Sequence, residues 1–222
     1  MKAITKIMFI ALLSTTAYAD DAAKANDTSK AKTADTTKTT DTTKPAKKEK
    51  LTATELQVIA HYHAVNLLEI DLGKTAMKLG STQAVKSYGE MLVKDHADSD
   101  KKLKDLAKAT KQIIPAEKLA TDADKQEKAD QKKEVAALKK MKGSEFDAKY
   151  LQMMVDGHDK ELAKIDTKIA DVQNSELADM LRAKKSVLQH HADQARELQK
   201  NNAQASATPT APSTTTASKS TK

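Results

Sequence analysis

The chain contains no cysteine. That absence excludes a disulfide framework, a thiolate metal site and lipid attachment to a cysteine behind an export signal. Any fold must be held by its core alone. Tryptophan is also absent, and aromatic residues make up 3% of the 222 positions. Sequence-tolerant binding of single-stranded nucleic acid relies on stacking aromatics, so this chain is poorly equipped for it. No Gly-rich phosphate loop, no Gly-x-Ser-x-Gly elbow and no His-Glu-x-x-His zinc motif occurs, which leaves no familiar catalytic constellation. Apart from one short stretch at the N-terminus there is no long apolar run, so no transmembrane segment is expected in the mature chain.

That stretch reads MKAITKIMFIALLSTTAYADD. Lys2 and Lys6 precede apolar residues from Ile7 to Leu13, and Ala17-Tyr18-Ala19 has the small-x-small pattern of a cleavage site. The run is too short to span a bilayer stably. It predicts a signal peptide over 1–19, with the mature chain starting at Asp20 and exported to the periplasm or beyond, outer-membrane association included.

The formal net charge is +7, but its distribution matters more than its size. Residues 51–200 carry 26 Lys and Arg against 25 Asp and Glu, a near balance. A nucleic-acid binder concentrates its basic surplus on the folded domain, so nucleic acid is not an expected partner. The surplus sits in the flanks. Residues 20–50 are almost entirely Ala, Thr, Asp and Lys, with DTTK at Asp35–Lys38 and again at Asp41–Lys44. Residues 201–222 are rich in Ala, Thr, Ser and Pro. Neither stretch has apolar content to offset ordering entropy, so both read as disordered arms. Their lysines give a weak attraction to anionic envelope surfaces. Nothing in the pattern sets an oligomeric state.

Between the arms the periodicity is helical. Thr52-x-x-Glu55 is a capping box, followed by Leu56, Ile59, Ile70 and Met77 at helical spacing. Gly80 stops this helix and Ser81 can cap the next, which carries Val85, Tyr88, Leu92, Leu103 and Leu106 and ends before Pro115. Residues 113–143 form a long connection holding a short charged helix, about Lys125 to Met141, capped by Thr121-x-x-Asp124 and closed by Gly143. Ser144-x-x-Asp147 should cap a third long helix with Leu151, Met154, Leu162, Ile165, Ile169 and Val172 inward. Asn174 breaks it, and Ser175 should cap a fourth with Leu177, Leu181, Leu188 and Leu198 inward. Four long helices in two hairpins joined by one long crossover make an all-α, ferritin-like four-helix bundle over 51–200. A plain up-down-up-down bundle is the alternative.

Six histidines fall on these helices: His61, His63, His96, His158, His190 and His191. At 1.5 Å per residue, His96, His158 and the His190-His191 pair all lie roughly 23–26 Å from their hairpin turns. Each is thus near mid-helix, and midpoints coincide whichever way the helices run. His96, His158 and His191 continue apolar stripes, whereas His190 is rotated toward an edge. Glu69 shares an inward stripe with Val58, Tyr62, Val65 and Leu72, and a mid-helix acid there needs a partner. The expected site is Glu69, His96, His158 and His191, with His190 as the alternative to His191. Imidazoles and a carboxylate suit zinc, iron or copper. Met91, Met153 and Met154 nearby would favour copper, although methionine is more often core filling. Without metal, the same groups would satisfy one another by hydrogen bonds. His61 and His63 belong at the bundle's edge, and Asp95, about 100° around the helix from His96, should face an edge or a neighbouring helix.

The segment Asn66 to Ala107, with Met91-Leu92-Val93-Lys94-Asp95-His96, resembles the first half of the bacterial envelope family called "domain of unknown function 4142". Phe146 to Asp166, with Phe146-Asp147 and His158, resembles its second half, and the likeness spans roughly 52–198. It implies a ferritin-like fold and an outer-membrane or periplasmic setting, with no settled activity. The ferritin likeness does not extend to di-iron chemistry, which needs Glu-x-x-His on two helices. Val93, Val155, Val187 and Leu188 stand three residues before His96, His158, His190 and His191. Taken together, the first reading is an exported, non-enzymatic bundle of uncharacterised activity with a mid-height site for a divalent metal or a small ligand, in metal handling or envelope stress. A metal-free structural or interaction module comes second, and an oxidoreductase a distant third.

Overall fold

The computed structural model describes residues 49–207, with side chains to residue 204. The signal peptide expected at 1–19, the spacer up to residue 48 and the tail from 208 lie outside the described residues. Within them the fold is all α: α1 (Ala53–Leu79), α2 (Gln83–Ala109), α3 (Asp122–Leu138), α4 (Gly143–Ala170) and α5 (Ser175–Ala207).

Two of the helix starts follow their local signals. Thr52 and Glu55 form the capping box of α1, and Thr121 and Asp124 that of α3. The box sets α3 three residues earlier than the charged run alone suggested. The other starts differ from expectation. Thr82, not Ser81, caps α2 through the Val85 amide. The side chain of Asn174, not Ser175, receives the Leu177 amide at the head of α5. No side chain caps α4. Its Asp147 is drawn away from Ser144 by a stronger demand, accepting from the Ser81 amide and hydroxyl at 2.9 and 2.6 Å and from the Thr82 amide at 3.2 Å. Gly143 does not close α3. At φ +62° it occupies the left-handed region open to glycine and turns the chain into α4. At the far end α5 runs past residue 200 to Ala207, because positions 201–207 hold three alanines and neither Gly nor Pro.

α1 and α2 form one antiparallel hairpin, α4 and α5 the other, and α1 packs on α4 while α2 packs on α5. Residues 110–142 return along the bundle as the single long crossover, the ferritin-like connection rather than the simple up-down one. Glu55, in the first turn of α1, accepts from the amides of Gln173 and Asn174 in the α4–α5 turn at 2.9 and 2.6 Å. Asp147 does the same for the α1–α2 turn. Gly73 and Gly89 bring α1 and α2 together, since a Cβ on either would stand 2.6–2.7 Å from the other's carbonyl oxygen.

The apolar core is in two parts. One gathers Leu72, Ala76, Val85, Tyr88, Leu92, Phe146, Leu151 and Ala195. The other gathers Val58, Ile59, Tyr62, Leu103, Leu106, Ile165, Leu181 and Leu188. On every long helix a polar residue separates the two, namely Asn66 and Glu69, His96, His158 and His191, and all of these are buried. The bundle thus has a polar waist.

Candidate metal centre

Helical rise alone brings His96, His158 and His191 to the waist, as the sequence predicts. One ring nitrogen from each lies within 4.8 Å of the others, and all three residues are buried. Their ring centroids are 5.2–6.0 Å apart.

The surrounding acceptors assign each tautomer. Nδ1 of His158 is 2.7 Å from the Met154 carbonyl oxygen, which only accepts, so Nδ1–H donates and a neutral ring leaves Nε2 bare. Nε2 of His191 is 3.1 Å from an Asp95 carboxylate oxygen, so Nε2–H donates and Nδ1 is bare. Nδ1 of His96 is 3.0 Å from Asn66 Oδ1. The Lys184 ammonium donates to that same Oδ1 at 2.9 Å, which identifies it as the amide oxygen and makes His96 Nδ1 the donor. His96 Nε2 is left buried with no hydrogen-bond partner. Three lone pairs therefore meet. Nε2 of His158 and Nδ1 of His191 are 3.3 Å apart. Two nitrogens bound to one tetrahedral zinc at about 2.0–2.1 Å would be separated by about 3.3 Å. Anchoring the far nitrogen of each imidazole to a carboxylate, carbonyl or amide is also how metal-binding histidines are oriented.

Electrostatics keep the rings available. Burial, then the positive charge of Lys184 and the neighbouring histidines, holds His96 well below the usual imidazole range. Burial likewise lowers His191 to about 4, against the pull of its Asp95 hydrogen bond. Protons therefore compete weakly for the nitrogens of His96 and His191. Lys184 is itself lowered to about 8, by burial first, with Glu161, Glu69 and Asp100 opposing the shift. Its ammonium also lies 5.3 Å from the centre of the Tyr62 ring.

Not every expected ligand joins the group. Glu69 is buried, but its carboxylate is outside the set of mutually close ligand atoms, and Oε2 has no hydrogen-bond partner. Its Oε1 lies instead toward Gly157 on α4, 3.9 Å from where a Cβ at that position would stand. Burial raises its carboxyl above the usual range, opposed by His158 and Lys184. His190, the alternative to His191, is exposed and lies outside the close group. Met91 and Met153 pack against the core and Met154 lies within it, as filling. His61 and His63 are half-buried edge residues, as expected. His61 bridges Glu117 of the crossover and Glu161 of α4 at 2.7 and 3.0 Å, and His63 pairs with Asp100. Asp95 faces a neighbouring helix, as its angle from His96 implies. Sequence reasoning passed over Asn66 and Lys184. A buried asparagine at mid-helix was the only signal for the first, and a lysine on an exposed-looking stretch carried none.

The family described as Domain of unknown function (DUF4142) matches residues 40–198. No curated protein matches the chain. Among solved structures, the crystal structure of a DUF305 fragment from Deinococcus radiodurans superposes with a TM-score of 0.57 at 13% identity, covering 69% of this chain and 99% of that one. At that identity the likeness concerns the helical fold alone. No helix among the described residues is long and apolar enough to cross a membrane.

Proposed function

The chain belongs to the DUF4142 family, and from its converging imidazoles we propose that it is an exported helical-bundle protein that binds one divalent transition metal through His96, His158 and His191. The observation that carries this reading is the set of three buried imidazoles with one ring nitrogen each within 4.8 Å of the others, and with His96 Nε2 buried without a partner. An unpaired buried acceptor costs about 1–3 kcal/mol, and a bound cation would relieve it. Neutral nitrogen ligands suit zinc and copper, with iron next. The metal would supply Lewis acidity. The protein's own residues fix its position: Met154, Asp95 and Asn66 hold the tautomers, and the two apolar cores exclude water above and below. We assign no catalytic step. Export rests on the N-terminal pattern and is tested by the intact mass of the mature protein, expected to begin at Asp20.

The metal reading is tested by zinc-dependent thermal unfolding. Zinc at a hundredfold excess over its dissociation constant should stabilise the wild type by about 2.7 kcal/mol. His96→Ala and His158→Ala should lose that gain, and His61→Ala should keep it. An equal zinc response in wild type and His96→Ala would overturn the site. No response to zinc, copper or iron in any form would leave the cluster as metal-free packing in a structural module.

A further inference from the structure

Two clefts approach the waist from opposite faces of the bundle. The one between α2 and α5 has a volume of about 440 Å³ and reaches His96 and His191, and its wall holds Lys102 and Lys184 beside Asp95, Asp98, Glu176 and Asp179. A cation arriving there meets the Lys184 ammonium, which donates to the Asn66 oxygen beside His96. The other, between α1 and α4 beneath α3, has a volume of about 350 Å³. Its wall holds Glu69, Glu127, Asp130, Glu134, Asp156 and Glu161 against one lysine, Lys160. Clefts lined by one sign of charge concentrate the opposite ion and raise its arrival rate.

The acids of this second cleft are not equivalent. Glu127 pairs with Lys160, Asp130 with Lys133, Glu134 with Lys149 and Glu161 with His61. Glu69 differs. It is 7% exposed, it lines the cleft, and its Oε2 has no partner. It also lies within electrostatic reach of His158. It lies one turn along α1 from Asn66, the residue that holds His96, and a Cβ at Gly157, the neighbour of His158, would come no nearer to its Oε1 than 3.9 Å. The absent side chain at position 157 leaves that carboxylate face uncovered.

Resting on the metal reading above, we propose that Glu69 is the relay ligand through which a divalent cation passes from the acidic cleft under α3 to His96, His158 and His191. A carboxylate takes a hydrated divalent cation readily and holds it less selectively than imidazole does. Glu69 therefore binds first, and the histidine nitrogens replace its oxygens as the ion moves inward. Its place outside the close ligand set follows from that role.

A relay and a resident ligand have different signatures. Removing a step on the path slows arrival and departure by the same factor and leaves the equilibrium alone. Removing a ligand weakens the equilibrium itself. The experiment follows zinc uptake by stopped flow, zinc release to excess chelator, and equilibrium affinity, using the full mature chain. Glu69→Gln should slow uptake by about tenfold or more, within the range that electrostatic focusing gives association rates, and slow release by the same factor because both directions share the step, with the dissociation constant changed little. Glu69→Asp keeps the charge on a shorter arm, should be intermediate, and covers the case in which Glu69→Gln fails to fold. Unchanged rates in Glu69→Gln would overturn the relay. So would a loss of affinity as large as that of His158→Ala, which would make Glu69 a resident ligand. A wild type that takes up no zinc would instead overturn the metal reading itself, a separate outcome.

Discussion

Nε2 of His158 faces Nδ1 of His191 across 3.3 Å, and the other nitrogen of each ring already donates elsewhere, to Met154 and Asp95. Two lone pairs at that distance repel, and a proton or a metal ion between them reverses the sign. The role of Asp95 follows directly. Its carboxylate keeps the proton of His191 on Nε2, away from the pair. Asp95→Asn can present its amide nitrogen to the ring and permit the other tautomer. Zinc affinity should then fall about ten- to hundredfold, the usual loss when an outer hydrogen-bond partner of a metal-binding histidine is changed. Competition against a chromophoric chelator measures it. Unchanged affinity would show that the tautomer is fixed by something other than Asp95.

His61 ties three elements, and its charge is part of the tie. Burial opposes that charge, but the hydrogen bonds and attraction from Glu117 and Glu161 outweigh it and raise the imidazole to about 9 from 6.5. A folded-state value above the unfolded one means stability that is fully present below pH 6.5 and lost as pH rises through about 9. At 1.36 kcal/mol per unit, the contribution is about 2–3 kcal/mol near neutrality. Urea unfolding of wild type and His61→Gln should therefore differ by that amount at pH 6 and converge by about pH 10. A difference that is constant with pH would assign the contribution to packing rather than charge.

Gly89 and Gly157 should respond oppositely to alanine. Helix propensity favours alanine by about 1 kcal/mol at either site. At Gly89 the new Cβ would stand 2.7 Å from the Gly73 carbonyl oxygen and 2.9 Å from the Ala76 Cβ, and forcing two helices apart costs about 1–3 kcal/mol. At Gly157 the nearest atom is 3.9 Å away. Thermal melts should show Gly89→Ala destabilised and Gly157→Ala level with wild type or better. A stabilised Gly89→Ala would mean that α1 and α2 can separate without loss.

Asp147→Ala strips the α1–α2 turn of its acceptor, leaving the Ser81 and Thr82 amides without it. The expected loss is about 2–3 kcal/mol by denaturant unfolding, the range for hydrogen bonds to a charged group. Ser144→Ala, which removes the cap suggested by local sequence, should change stability little, because α4 has no side-chain cap. Similar losses for the two variants would contradict this assignment.

The contrast between Ser144 and Asp147 also shows what could be read from sequence and what could not. Capping boxes close within four residues, so Thr52 with Glu55 and Thr121 with Asp124 were legible. The mid-helix level of His96, His158 and His191 was legible because helical rise is fixed. Asp147 was misread because its partners lie 65 and 66 residues away, and no local pattern records that. The partners of the histidines were hidden for the same reason. Asn66, Asp95 and Lys184 reach the waist from three different helices, and the rotation of each helix is set by packing. Glu69 shows the limit most clearly: its apolar stripe placed it inward, but not on which side of His158.

Glu55 and Asp147 each sit in the opening turn of one hairpin and hold the closing turn of the other. Within the long segment between the hairpins α3 buries only Leu138, and the segment is held chiefly at its start, by Gln112 on Leu51 and Glu117 on His61. The molecule is thus a reciprocal clasp, two unlike copies of one device, and the peptide link between them is closer to a tether than to a beam. Were that tether cut, each half would still carry the hook that the other needs. The three clustered imidazoles would then be divided between the halves, His96 on one and His158 with His191 on the other, so that a metal ion bound by them would become a reason for the halves to meet.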